Sequence, residues 1–229
     1  MIGWSARNIT ITNNYIGSAP PYGYGIAFDV KYIAYDINIS DNIIEHIGDG
    51  YYLKDPCYIE NPGLWSVKLD DIRMPPGAAI ELESTNNIFI ENNTIRSCLN
   101  GISTAFPDAI GNYGNISISH NRLYGLLNYT WLENGKPITA YGIGIGLSTY
   151  AWHPEENQER YKVYSSTAIM NIFNNYIYNY TYPIILDIEK PNLKKSYIID
   201  NIVDTYVEFK LNTAAYMHGN QFLNKIFIL

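Results

Sequence analysis

The chain has 229 residues, 47% of them apolar and only 16% charged, with a formal net charge of −7. That supplies a sizeable core and argues against disorder. It also argues against a nucleic-acid partner, whose phosphates demand a basic stripe; the adjacent basic pair Lys194-Lys195 reads as a solvated turn.

The amino end, Met1-Ile2-Gly3-Trp4, lacks the basic and long apolar regions of a signal peptide. No stretch reaches the roughly 18 apolar residues of a membrane span. From Asn8 onward one phrase recurs, Ile-x-Ile-x-x-Asn-x-Ile. It spans Ile9–Ile16, Ile37–Ile44, Ile88–Ile95, Ile116–Leu123, Met170–Ile177 and Ser196–Val203, with weaker copies at Val67–Met74 and Ala215–Phe222. The sixth position is Asn in every copy but one, which carries Ile72. The widest gap, from Asn121 to Asn175, fits two coils or one coil with long loops. A second phrase follows most copies: Gly25–Phe28, Gly50–Leu53, Ala79–Leu82, Gly101–Thr104, Gly142–Ile145 and Pro183–Leu186. Each coil therefore carries at least two short strands separated by a turn.

Period-2 alternation sends Ile11, Ile39, Leu69, Ile90, Ile118, Ile172, Ile198 and Met217 into one inward column. Such strands are too short to fold alone. Stacked at about 4.8 Å they pair in parallel and bury a continuous aliphatic core. The recurring Asn fits a structural ladder at the turn, its amide bonding to the coils above and below. The expected fold is all-β: a right-handed, single-stranded parallel β-helix of about 8–9 coils with long loops, a rod roughly 40 Å long. It fills residues 1–229 as a single domain, interrupted by insertions at 124–141 and 148–166. Because the repeat runs from Asn8 without a preceding cap, the chain reads as a piece of a larger protein, or as a subunit capped by partners.

The repeat resembles that of the pectate-lyase-like superfamily of parallel β-helices, in particular its carbohydrate-associated group of NosD-like surface proteins, over about residues 7–222. The resemblance implies the fold. It leaves function open among lyases, hydrolases, viral spikes and non-catalytic surface proteins. Phrases that such pectin-degrading hydrolases carry, Gly-His-Gly and Arg-x-Lys, are absent. The 22 tyrosines, with many Ile and Asn, are similar in flavour to surface proteins of thermoacidophilic archaea and their viruses.

Outward residues of stacked strands form straight columns, so the register becomes a map. The fourth position reads Thr12, Ser40, Asp70, Glu91, Ser119, Phe173, Ile199 and His218, which makes Asp70 and Glu91 neighbours. Two carboxylates about 5 Å apart suit a retaining glycosidase or, with more oxygen ligands, a calcium ion; no other cofactor is implied. The bland alternative is a mixed-charge face neutralised by Lys68 and Arg73. Lys68, Arg73, His120 and Arg122 lie nearby in register and are candidate binding residues. Tyr129 and Trp131 in one insertion, and Trp152 and His153 in the other, offer aromatic surfaces for sugar rings or a protein partner. Sequons at Asn8, Asn38, Asn92, Asn115, Asn128 and Asn179 permit glycosylation of an exported chain, though an Asn-rich repeat also creates them by accident. Cys57 and Cys98 are either a disulfide or two buried thiols.

These features favour a non-catalytic extracellular, cell-surface or virion-surface domain that presents an elongated face to a glycan or to other subunits of an assembly. The alternative is a polysaccharide lyase or glycoside hydrolase working through the outward carboxylates.

Overall fold

A computed structural model describes residues 6–19, 23–28, 34–51, 77–82, 85–103, 115–133, 136–148, 169–187, 197–204, 210–211 and 216–223. The strands follow one another coil by coil. The first coil holds β1 (Arg7–Thr12), β2 (Tyr15–Ala19) and β3 (Ile26–Phe28); the second β4 (Ala34–Ser40), β5 (Ile43–Ile47) and β6 (Ala78–Leu82). The third holds β7 (Thr85–Glu91), β8 (Thr94–Cys98) and β9 (Asn100–Ser103). The fourth holds β10 (Asn115–Ser119), β11 (Arg122–Gly125), a pair β12 (Asn128–Glu133) and β13 (Lys136–Tyr141), and β14 (Ile143–Ser148). Then come β15 (Ile169–Phe173), β16 (Tyr176–Tyr178) and β17 (Tyr182–Asp187); β18 (Tyr197–Ile199), β19 (Ile202–Asp204) and β20 (Lys210–Leu211); and finally β21 (Tyr216–His218) and β22 (Gln221–Phe222).

Corresponding strands stack into three parallel sheets. Sheet A (β1-β4-β7-β10-β15-β18-β21) and sheet B (β2-β5-β8-β11-β16-β19-β22) each have seven strands, and sheet C (β20-β17-β14-β9-β6-β3) has six. This is a parallel β-helix with three strands per coil. The repeated phrase spans sheets A and B with its Asn at the corner between them; the Gly-Ile phrase supplies sheet C.

The core is one cluster. Ile37, Ile39, Ile88, Ile90, Ile116, Ile118 and Ile172 of sheet A are fully buried, facing Ile44, Ile95, Leu123 and Ile177 of sheet B and Ile80, Ile102, Ile145 and Ile184 of sheet C. At the corner, Asn14, Asn42, Asn93, Asn121, Asn175, Asn201 and Asn220 form a continuous ladder. Each side-chain amide donates to the Oδ1 of the next Asn at 2.9–3.0 Å. From Asn42 onward it also donates to a sheet A carbonyl of the preceding coil, as Asn121 does to Ile90 at 2.8 Å. The residue before each ladder Asn lies in the left-handed region, with φ of 53–67° at Asn13, Asp41, Asn92, His120, Asn174, Asp200 and Gly219. L-residues tolerate that conformation best when they are Asn, Asp or His, which explains the polar fifth position of the repeat.

Seven rungs stand among the described residues, against eight or nine expected. The Val67–Met74 copy, expected as a rung between Asn42 and Asn93, lies outside the described residues. Strand β4 pairs directly with β7, with Ile39 opposite Ile90 and Ser40 opposite Glu91, and the Asn42 amide reaches Asn93 Oδ1 at 2.9 Å. Ile72, in the place of the ladder Asn, has no amide with which to join that chain of hydrogen bonds. Likewise β3 pairs directly with β6, Ile26 opposite Ile80, and of the Gly50–Leu53 phrase the last two residues lie outside the described residues. The Asn121–Asn175 gap is a single coil, since β10 pairs directly with β15. Within the expected 124–141 loop, Tyr124 and Gly125 still belong to the rung, and β12 and β13 pair antiparallel. Of the 148–166 insertion, 149–166 lies outside the described residues. Among the described residues no helix is long and apolar enough to cross a membrane.

Candidate functional site

The face that departs furthest from the repeat is the outside of sheet B. Alternation sends Ile16, Ile44, Ile95, Leu123, Ile177, Val203 and Phe222 inward and turns their neighbours outward. One outward column runs Tyr15, Ile43, Thr94, Arg122, Tyr176, Ile202 and Gln221; the other runs Gly17, Glu45, Arg96, Tyr124, Tyr178 and Asp204. From Tyr15 to Asp204 the tract covers six rungs, roughly 24 Å along the axis.

Three tyrosines gather at its centre. The Tyr124 ring lies 5.7 Å from Tyr176 and 6.3 Å from Tyr178. Tyr124 and Tyr178 remain 37% and 41% exposed. Burial, and then Asp204 and the two neighbouring phenols, raise the Tyr176 phenol above its ordinary value, so it is a neutral donor at physiological pH. Arg122, exposed beside this cluster, enters no ion pair among the described residues. Toward the amino end, Glu45 Oε1 accepts from Arg96 at 3.1 Å and Oε2 accepts from the Tyr15 hydroxyl at 3.2 Å. That hydrogen bond, then the charge of Glu45, raises the Tyr15 phenol.

At the corner leading toward sheet C, His46 occupies a left-handed position (φ 60°). Ser18 and Ser97, one rung to either side, share that conformation. His46 Nδ1 lies 2.6 Å from Asp49 Oδ2, and Asp49 Oδ1 accepts the Tyr51 N–H at 2.9 Å. Gly48 and Gly50, both at φ 79°, turn the chain so that Asp49 comes back to the imidazole. Tyr51 stacks on that ring, with centroids 4.1 Å apart and planes 15° from parallel. The hairpin β12–β13 reaches this turn from two coils away. A Cβ on Gly50 would meet the Tyr129 hydroxyl, and Tyr129 stacks with Trp131 at 6.2 Å. Burial, and then Asp49, raise the Tyr129 phenol.

The sequence-derived candidates divide. Glu91 is exposed on sheet A, with Ser40 and Ser119 as its column neighbours; Ser119 Oγ donates to it at 3.4 Å. The register that put Asp70 beside it does not hold, because no strand lies between β4 and β7. Asp70, Lys68, Arg73, Trp152 and His153 lie outside the described residues, as does Cys57. His120 belongs to the left-handed corner column, its Nε2 3.4 Å from the Asn174 amide and its ring edge-on to Phe173. Arg122 lies around the corner from Glu91, on sheet B. Tyr129 meets the Gly50 turn, and Trp131 stacks with Tyr129. Cys98 is a buried free thiol. Of the sequon asparagines, Asn8, Asn38, Asn115 and Asn128 are exposed. Asn92 donates to Asp41 at 2.5 Å and half-buried Asn179 to the Gly125 carbonyl at 2.9 Å.

Sequence reasoning named Arg122 but missed His46 and the rest of the sheet B face. The face was accessible by the same alternation, at the seventh position of the phrase and the residue after the eighth. Comparison with protein-family models, with curated proteins and with solved structures finds no match.

Proposed function

We propose that this is a surface-displayed β-helix of the pectate-lyase-like kind that binds a glycan along the outside of sheet B. The observation that supports this reading is the cluster of Tyr124, Tyr176 and Tyr178 beside Arg122, which enters no ion pair among the described residues. Tyrosine offers a flat apolar ring to the C–H face of a sugar and a hydroxyl to its polar edge, with few rotatable bonds to immobilise. A guanidinium adds planar donors. Rungs spaced about 4.8 Å apart repeat these groups along one axis, which suits an elongated chain more than a compact ligand. An extracellular or virion-surface location follows from that role as part of the proposal.

A binding screen over immobilised neutral and acidic polysaccharides tests it. The expected result is a hit whose affinity falls at least tenfold in Tyr124→Ala and again in Tyr178→Ala, with far-UV spectra unchanged. A hit unaffected by both substitutions would refute the assignment of the face. The hydrolase reading through Asp70 and Glu91 loses its register argument, because Ser40 rather than Asp70 stands opposite Glu91.

A further inference from the structure

Among the described residues the turn at 46–51 has no counterpart in the other coils. In the third coil the chain passes from Cys98 at the end of β8 straight into β9 at Asn100. In the second coil it leaves the rung after Ile47 and builds a carboxylate–imidazole pair instead. Packing alone does not require that construction, since Ser18 and Ser97 fill the same corner on either side. Asp49 is held on both oxygens, one by His46 Nδ1 at 2.6 Å and one by the Tyr51 N–H at 2.9 Å. The imidazole is thereby fixed in the tautomer with its proton on Nδ1, while Tyr51 clamps its face at 4.1 Å. Nothing among the described residues bonds to Nε2, and the side chain is 28% exposed. A ring oriented by a carboxylate, immobilised by stacking and open at the remaining nitrogen has the construction of a general base.

We propose that His46 and Asp49 form a general-base dyad that hydrolyses an acyl ester carried by a saccharide. The saccharide half of the proposal rests on the glycan reading of sheet B; the ester half rests on the dyad alone. The nucleophile is water. Among the described residues Ser18 Oγ has no hydrogen-bond partner, and no hydrogen bond joins Ser97 to the ring. Glycoside cleavage needs a second free carboxylate, whereas Glu45 is engaged by Tyr15 and Arg96. Nε2 removes a proton from water as the water oxygen bonds to the acyl carbon and the carbonyl pair moves onto its oxygen. The tetrahedral intermediate collapses, the bond to the sugar oxygen breaks, and that oxygen takes the proton back from Nε2. The products are a carboxylic acid and a free sugar hydroxyl, and the dyad returns to its starting state. Asp49 is a positioning residue, which holds the tautomer and stabilises the transient imidazolium.

The test uses the full chain and two probes: p-nitrophenyl acetate, which has no sugar, and O-acetylated xylan, with binding of deacetylated xylan measured separately. The expected result is acetate release from both probes, with kcat/KM lowered at least about 100-fold in His46→Gln. Asp49→Asn should lower kcat with KM unchanged, and Asp49→Glu should restore part of it. Should His46→Gln fail to fold, His46→Ser takes the residue of the neighbouring rungs and must show the same loss. Release that persists in the folded His46 variants, or no release from either probe by the wild type, overturns the dyad. Release from p-nitrophenyl acetate with no xylan binding keeps the dyad and removes xylan as the glycan of sheet B.

Discussion

Replacing Asn121 by Ala, in the middle of the corner ladder, should cost far more than its modest size suggests. Its amide donates to Asn175 Oδ1 at 3.0 Å and to the Ile90 carbonyl at 2.8 Å. Its Oδ1 accepts the backbone N–H of Asn93 at 2.9 Å and the Asn93 side-chain amide at 3.0 Å. Four hydrogen bonds therefore disappear. The Asn93 N–H is left buried without its acceptor, whereas the Asn93 side-chain amide keeps its bond to Ile39. At about 1 kcal/mol net per hydrogen bond, with an added desolvation cost for the orphaned N–H, the loss is about 4–6 kcal/mol. Asn14→Ala, at the end of the ladder, removes two exposed or part-buried bonds from its amide and should cost only about 1–2 kcal/mol. Equilibrium urea unfolding of both variants, with amide exchange to localise the effect, makes the measurement. A cost below about 1.5 kcal/mol for Asn121→Ala, or equal costs at the two sites, would refute the ladder as a principal source of stability.

Other consequences follow from the same geometry. A Cβ on Gly125 would overlap the ring of Tyr180, which is fully buried. Gly125→Ala should therefore destabilise by at least about 2 kcal/mol in thermal unfolding, and Tyr180→Leu in that background should recover part of the loss. Burial pushes the Cys98 thiol up to about 12 and raises the Tyr180 phenol well above its ordinary value. In the unfolded chain these groups ionise near 9.0 and 10.0. Above those values the folded state therefore binds more protons than the unfolded one. Stability should be unaffected by either group below about pH 9, fall by about 1.4 kcal/mol per pH unit above that through Cys98, and fall by about as much again per unit above about pH 10 through Tyr180, which alkaline urea titrations would reveal. In a Cys57→Ser background, native Cys98 should stay unreactive toward a thiol reagent at pH 8 until the chain unfolds. Gly50→Ala would strain a left-handed position and strike the Tyr129 hydroxyl, so Trp131 emission should shift as the hairpin loosens, with the sheets intact.

Much of the fold was legible because the repeat is redundant. Alternation at Ile37-x-Ile39 and Ile88-x-Ile90 fixes an inward face, and an Asn three residues beyond the second apolar position can satisfy its amide only in a ladder. The Val67–Met74 copy keeps the alternation but carries Ile72 where the ladder needs an amide, and β4 pairs directly with β7. The sheet A column containing Glu91 was read in its observed order apart from Asp70, and that one false member had produced the carboxylate pair. The site was harder to see for a physical reason. Tyr124, Arg122 and Tyr178 follow from the same period, but nothing in one rung marks them until neighbouring rungs are superposed. His46 and Asp49 meet only because Gly48 and Gly50 reverse the chain where the coil is abandoned, and repetition carries no record of that turn.

The most direct test of the account is to map, by amide chemical shifts, where the best polysaccharide from the binding screen, cut to oligosaccharides, touches the labelled protein. Perturbations confined to Arg122–Tyr124, Tyr176–Tyr178 and their sheet B neighbours are the predicted result. Perturbations centred instead on the exposed Tyr197 and Tyr216 of sheet A would contradict it.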